Sequence, residues 1–247
     1  MVYDLFEDAY NSRTKLLIVL IDPQVVEEKK KLLDEYIESF KMYKPSMVFV
    51  GGSLIFDSVE PIVKKIKQYC DLPVVLFPGH ATQFTPLADA ILFLSLISGR
   101  NSEYLIGQHV VAAPLIKKAK TEVISTGYIL IESGKLTSVE YMSNTKPIPN
   151  NKVDILKATA LAGEMLGHKL IYLESGSGAE KSISYDAVFQ VVKYIGIPVI
   201  VGGGITSPEQ VIKLYEAGAT GVVLGSLLEK NPFLLRDFIK KKNESFF

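Results

Sequence analysis

Short runs of large apolar residues, each breaking off into small or polar residues and followed by a charged, helix-prone segment, recur along this whole chain. They occupy 16–21, 47–50, 73–77, 90–97, 122–131, 170–174, 199–201 and 222–224. An apolar run that does not alternate with polar residues suits a strand buried on both faces, the condition of strands in a parallel sheet covered by helices. About eight strand–helix alternations, with no linker, composition break or low-complexity tract, predict one (β/α)8 TIM barrel, a single domain over residues 1–247. An open doubly wound sheet is the alternative. Glycine-rich strand ends cluster after the last three strands, and barrels commonly bind phosphate with the loops after strands seven and eight, so the barrel is favoured.

Helices are expected over 24–43, 57–70, 103–118, 153–166, 185–194 and 208–217, and at the end of the chain. Pro61 and Pro208 fall in first turns, where a missing amide is harmless, whereas Pro114 interrupts the 103–118 segment. Residues 79–89, between the third and fourth strands, are too few and too broken by Pro86 for a crossover helix. A loop is expected to replace the third crossover helix, leaving a thin wall whose apolar side chains are open to another use. The polar stretch 133–151, with Pro147 and Pro149, is long enough to be a lid or binding loop.

Composition narrows the classes. Hydrophobic residues at 48% and charged residues at 22% exclude a disordered or membrane-embedded chain. Lysine plus arginine balances aspartate plus glutamate at 27 each, so no net field favours nucleic acid, and any anion must be bound locally. Cys70 is the only cysteine, which excludes an internal disulfide and a cysteine metal cage and fits a reducing cytosol. No apolar run is long enough to span a bilayer and the N-terminus lacks a signal pattern, so a soluble cytoplasmic protein is expected.

The candidate site residues lie where strands end. After the sixth strand comes Tyr172-Leu173-Glu174-Ser175-Gly176-Ser177-Gly178, after the seventh Gly202-Gly203-Gly204-Ile205, and after the eighth Gly225-Ser226. Bare amides converging at three successive strand ends predict a phosphate site. Glu174 reads as a general base or as half of a rim salt bridge, although no basic residue follows before Lys181. Tyr172 points to the same side as Glu174 and reads equally as a core aromatic. Asp22, at the end of the first strand, reads as a Mg²⁺ ligand or as the cap of the next helix with Pro23 at its first position. Ser53, closing Gly51-Gly52-Ser53, reads as a second metal ligand or a turn serine. His80, His109 and His168 have no companions at metal-ligand spacing and are taken as structural. P-loop, Rossmann, nucleophile-elbow and zinc motifs are missing.

These strings together resemble the geranylgeranylglyceryl phosphate synthase family and its bacterial heptaprenylglyceryl phosphate synthase relatives. The likeness runs nearly the whole chain, and residues 79–114 resemble the second of the family's two sequence groups. It implies an ether-forming prenyltransferase of membrane lipid biosynthesis, joining a prenyl diphosphate, geranylgeranyl or the longer heptaprenyl, to the 3-hydroxyl of sn-glycerol 1-phosphate. By the same resemblance Asp22 and Ser53 would ligate Mg²⁺. Tyr172, Leu173, Glu174, Ser175, Gly176, Ser177, Gly178, Gly203, Gly204, Gly225 and Ser226 would line the glycerol phosphate site. A homo-oligomer, dimer or hexamer, is implied, without nucleic acid and with at most peripheral membrane contact. For the prenyl tail, the thin wall near Phe77, Phe84 and 91–96 offers an apolar groove. Two rivals share the glycine-rich ends. Barrel isomerases and lyases of histidine and tryptophan synthesis are one, although the histidine-pathway isomerases pair aspartates at strands one and five and Glu132 follows the fifth strand here. A non-catalytic phosphometabolite sensor is the other.

Overall fold

In a computed structural model describing residues 1–246, all eight apolar runs form strands. They are β1 (Leu16–Ile21), β2 (Met47–Val50), β3 (Val74–Leu76), β4 (Ala90–Leu96), β5 (Glu122–Leu130), β6 (Leu170–Glu174), β7 (Val199–Gly202) and β8 (Gly221–Leu224). Each pairs in parallel with its sequence neighbours and β8 pairs with β1, closing a barrel. Because side chains alternate along a strand, burial splits into two layers. Ile18, Met47, Phe49, Leu92, Leu170 and Tyr172 fill the barrel interior. Leu17, Val19, Val48, Ile171, Leu173 and Val201 face outward and are covered by the helices.

The helices follow the expected order, with three differences. The segment 24–43 is two helices, Pro23–Glu28 and Leu32–Met42. The chain leaves helical geometry at Lys29, whose ammonium donates to the carbonyl of Glu229 beyond β8, and the second helix restarts where Leu32 and Leu33 can be buried. Pro114 does not interrupt its segment: a π-turn, Glu103–Gly107, runs into the helix Gln108–Ala119 with Pro114 inside it. The carbonyl that loses its partner belongs to Val110, on an exposed face where water serves instead. A short helix, Ser138–Ser143, sits within the long β5–β6 connection.

Another helix, Val2–Ser12, precedes β1, and its Val2 and Phe6 pack into the interior layer against the lower barrel residues. Its amides at Val2 and Tyr3 donate to the carboxylate of Glu122, at the base of β5, at 2.6 and 2.8 Å. This end is thereby stoppered, and the opposite, C-terminal end of the strands is left for chemistry. The expected gap is present: residues 77–89 contain no helix. The β3–β4 ladder beside it has two residue pairs, whereas β4–β5 has seven.

Candidate active site

At the top of β1, Asp22 caps the next helix, one of its two sequence readings. One carboxylate oxygen caps the helix Pro23–Glu28, accepting from the Gln24 amide at 2.9 Å. The other faces Gly52 at the end of β2, where a Cβ would lie 2.8 Å from it. Glycine at position 52 keeps that oxygen uncovered. Burial pushes the Asp22 carboxyl above the ordinary carboxylate range. Ser53 follows directly and lines the mouth of the groove described below. No cluster of three or more His, Cys, Asp or Glu side chains that could hold a metal ion exists among the described residues.

Across the barrel, β6 carries the polar centre. Tyr172 and Glu174 both point inward, one layer apart, because they are two residues apart on one strand. The register sets Tyr172 beside Tyr128 and Ile200, and Glu174 beside Leu130 and Gly202. A side chain at Gly202 would strike the Tyr172 hydroxyl at 2.5 Å and Glu174 Oε2 at 2.7 Å, so the missing Cβ provides the space both occupy. Glu174 is 5% exposed and forms no salt bridge among the described residues, so the rim ion pair is not what holds it. Burial raises its carboxyl to about 7, against the opposing pull of the Gly176 amide and the Tyr172 hydroxyl. The Tyr172 hydroxyl is itself buried without a hydrogen bond of good geometry, as is the hydroxyl of Ser175.

The glycine-rich ends interlock. Gly203 has φ of 85°, and a Cβ there would lie 2.4 Å from Glu174 Oε1 and 2.9 Å from the Ser175 nitrogen, so glycine alone fits. Gly204 follows in the same left-handed region and packs on the backbone at Lys181 and Ser182. The Ser177 and Ser226 hydroxyls meet at 3.2 Å, joining the loop after β6 to that after β8, where Gly225 begins the turn. Two of the amides expected to be bare are engaged: Gly176 donates to Glu174 at 2.7 Å, and Gly178 to Ser226 Oγ at 3.3 Å. The first of these serves to aim the carboxylate. Leu173 turns its side chain into the outer layer, so only its backbone borders the site.

Beside this centre, where the third crossover helix is lacking, an apolar groove, open to solvent, runs along the barrel wall. Phe77, Phe84, Ile91, Phe93, Leu94 and Leu96 line it, as their positions in the thin wall predict. Its far side comes from residues the sequence does not flag: Tyr104, Gln108 and Ala112 from the 103–119 segment, and Val139 and Met142 from the β5–β6 connection. The groove reaches the polar centre through three rings, with Phe77 5.5 Å and Tyr128 5.3 Å from Tyr172. His109 bonds Ser95 at 3.2 Å and meets Phe93 edge-on, His168 bonds Ser125 at 3.0 Å, and His80 bonds Thr82 at 3.1 Å, while His80 and His109 also line the groove. Burial lowers the imidazole pKa of His109 and of His168.

Comparison with known proteins is consistent across the chain. The PcrB family model matches residues 10–243. A geranylgeranylglyceryl phosphate synthase of Chitinophaga pinensis is 44% identical over 237 residues, covering 96% of this chain and 93% of its own length. One of Flavobacterium johnsoniae is 46% identical over 225 residues, covering 91% and 92%. The crystal structure of (S)-3-O-geranylgeranylglyceryl phosphate synthase from Thermoplasma acidophilum, in complex with sn-glycerol-1-phosphate, superposes with a TM-score of 0.89 at 31% identity, covering 99% of this chain and 98% of that one.

Proposed function

This chain belongs to the PcrB family, and we propose that it transfers a geranylgeranyl group from its diphosphate to the 3-hydroxyl of sn-glycerol 1-phosphate, forming an ether in membrane lipid biosynthesis. The observation that carries this reading is the junction of an apolar groove with a buried carboxylate, through Phe77, Tyr128 and Tyr172. Neither a small polar substrate nor a phosphometabolite sensor has use for an apolar channel beside the phosphate loops. A prenyl diphosphate laid in it places its reactive carbon at the barrel mouth, between Glu174 and Asp22.

The chemistry assigned to the residues is simple. The new bond joins the acceptor oxygen to the first prenyl carbon; the bond from that carbon to the diphosphate oxygen breaks, and diphosphate leaves with the electron pair. Glu174 accepts the hydroxyl proton. A carboxyl held near 7 is ionised in a useful fraction at neutral pH and still basic enough to take a proton. Tyr172, its buried hydroxyl beside Glu174, orients the acceptor, and the loops at Ser175–Gly178, Gly203–Gly204 and Gly225–Ser226 fix the phosphate so that the hydroxyl is aimed. The uncapped oxygen of Asp22, left open by Gly52, together with Ser53 suits Mg²⁺, and these two residues would hold it. When bound, Mg²⁺ neutralises charge on the departing diphosphate.

Oligomerisation belongs to the same reading. Ile106, Val110, Val111 and Leu115 are more than half exposed on one segment, which supports a contact between copies rather than core packing. No helix among the described residues is long and apolar enough to cross a membrane. A single cysteine supports a cytoplasmic setting, with the lipid product leaving at the bilayer surface.

The test is product formation from sn-glycerol 1-phosphate with geranylgeranyl diphosphate and Mg²⁺, with glycerol 3-phosphate and heptaprenyl diphosphate in parallel arms. Ether formed from the 1-phosphate and not the 3-phosphate is the expected result. No product with either prenyl length, despite tight phosphate binding, overturns the reading.

A further inference from the structure

The connection between β5 and β6 is fastened at its base. The Ile131 amide donates to the Glu174 carbonyl, the Ile148 amide to the Leu130 carbonyl and the Glu132 amide to the Ile148 carbonyl, each at 2.9 Å. From that anchor the chain crosses over the loop that follows β6. Thr137, buried, lies where a Cβ on Gly176 would meet its methyl group at 2.5 Å, and its hydroxyl caps the helix Ser138–Ser143. Two residues earlier, the ammonium of Lys135 lies 3.8 Å from the position of a Cβ on Gly178. It forms no ion pair among the described residues.

Lys135 is exposed, so its ammonium is solvated and, with no carboxylate paired to it, free to meet an anion that enters over the glycine–serine loop. We propose that Lys135 is the side-chain cation that receives the phosphate of the acceptor, acting as a binding and positioning residue, and that this contact seats the β5–β6 connection as a clamp over the site. The clamp also touches the second substrate's channel. Beyond Thr137 the same segment gives Val139 and Met142 to the groove wall, and Tyr104 and Asn101 hold it there through the Met142 and Ser143 carbonyls, at 3.1 and 2.7 Å.

The proposal rests on glycerol phosphate being the acceptor, so binding and turnover are measured separately. Lys135→Ala and Lys135→Arg are compared with the wild type by calorimetric titration with sn-glycerol 1-phosphate, and by steady-state assay varying each substrate. The alanine variant is expected to weaken 1-phosphate binding and raise its KM about tenfold, with kcat and the prenyl diphosphate KM moving by less than about twofold. Arginine is expected to restore most of the loss. Unchanged 1-phosphate affinity, a rise confined to the prenyl diphosphate KM, or an arginine variant no better than alanine overturns the proposal. A wild type that binds the 1-phosphate but makes no ether refutes the functional reading, and the calorimetric comparison still decides the role of Lys135.

Discussion

Replacing Glu174 with glutamine should make the protein more stable and at the same time inactive, by an amount that follows from its burial. The carboxyl is held at about 7 in the fold, against 4.5 for an ordinary glutamate. At about 1.4 kcal/mol per pH unit, ionising it inside the folded protein costs ~3 kcal/mol at pH 8. The sign follows from proton binding. Between 4.5 and about 7 the native state keeps a proton that the unfolded chain has lost, so the group's contribution is fully present below 4.5 and is lost as pH rises through about 7. Glutamine never ionises, and its amide oxygen can still accept from the Gly176 amide. Glu174→Gln should therefore gain ~3 kcal/mol at pH 8 and roughly 1 kcal/mol at pH 5. For a chain of this size the larger figure is about 6 °C in Tm. The assay is paired thermal melts of the two proteins at both pH values, without ligand. Turnover should fall by about 10²–10⁴ in the variant, and wild-type kcat/KM should rise with pH through a limb near 7. A gain equal at both pH values, or a variant less stable at pH 8, would show that Glu174 does not carry a buried charge at neutral pH.

Two further substitutions test the other halves of the site. Asp22→Asn keeps a capping oxygen for the Gln24 amide, so its Tm should stay near wild type while Mg²⁺-dependent turnover collapses; Asp22→Ala should lose both, with ~1 kcal/mol of stability gone with the cap. Equal melting losses in the two variants would mean that the cap is not what Asp22 contributes to folding. Ala112→Phe pushes a ring into the groove, and product analysis with a series of prenyl diphosphates should show a shift to shorter chains. A chain-length profile identical to wild type would place the tail elsewhere.

What could be read from the sequence was what is local. Strand β1 is legible from 16–21 because six consecutive apolar residues suit only a doubly covered strand, and Pro86 announces the missing helix by itself. Tyr172 and Glu174 share a face by the period of a strand alone. Asp22 was legible as two alternatives, and the structure shows the cap, made by one of its two oxygens. The hidden features are those made by residues distant in sequence. The helix Val2–Ser12 is fixed by Glu122, some 120 residues away, and the groove's second wall by residues from two separate segments. The amide of Gly176 looked free because a sequence does not reveal that the side chain two residues back will turn to meet it. Lys135 and Thr137 read as ordinary loop residues, since only the crossing of one loop over another gives them neighbours.

The short β3–β4 ladder has a mechanical meaning. With two paired residues and no helix in residues 77–89, this junction is the shortest ladder in the barrel, the kind of weakly paired element that opens at least expense. The greasy channel lies along that same seam. An amphiphile made here need not climb out through the polar mouth past the phosphate loops. It can part the wall sideways, tail first, and a protein resting against a bilayer with this flank would hand its lipid over by the route that costs the tail least exposure to water.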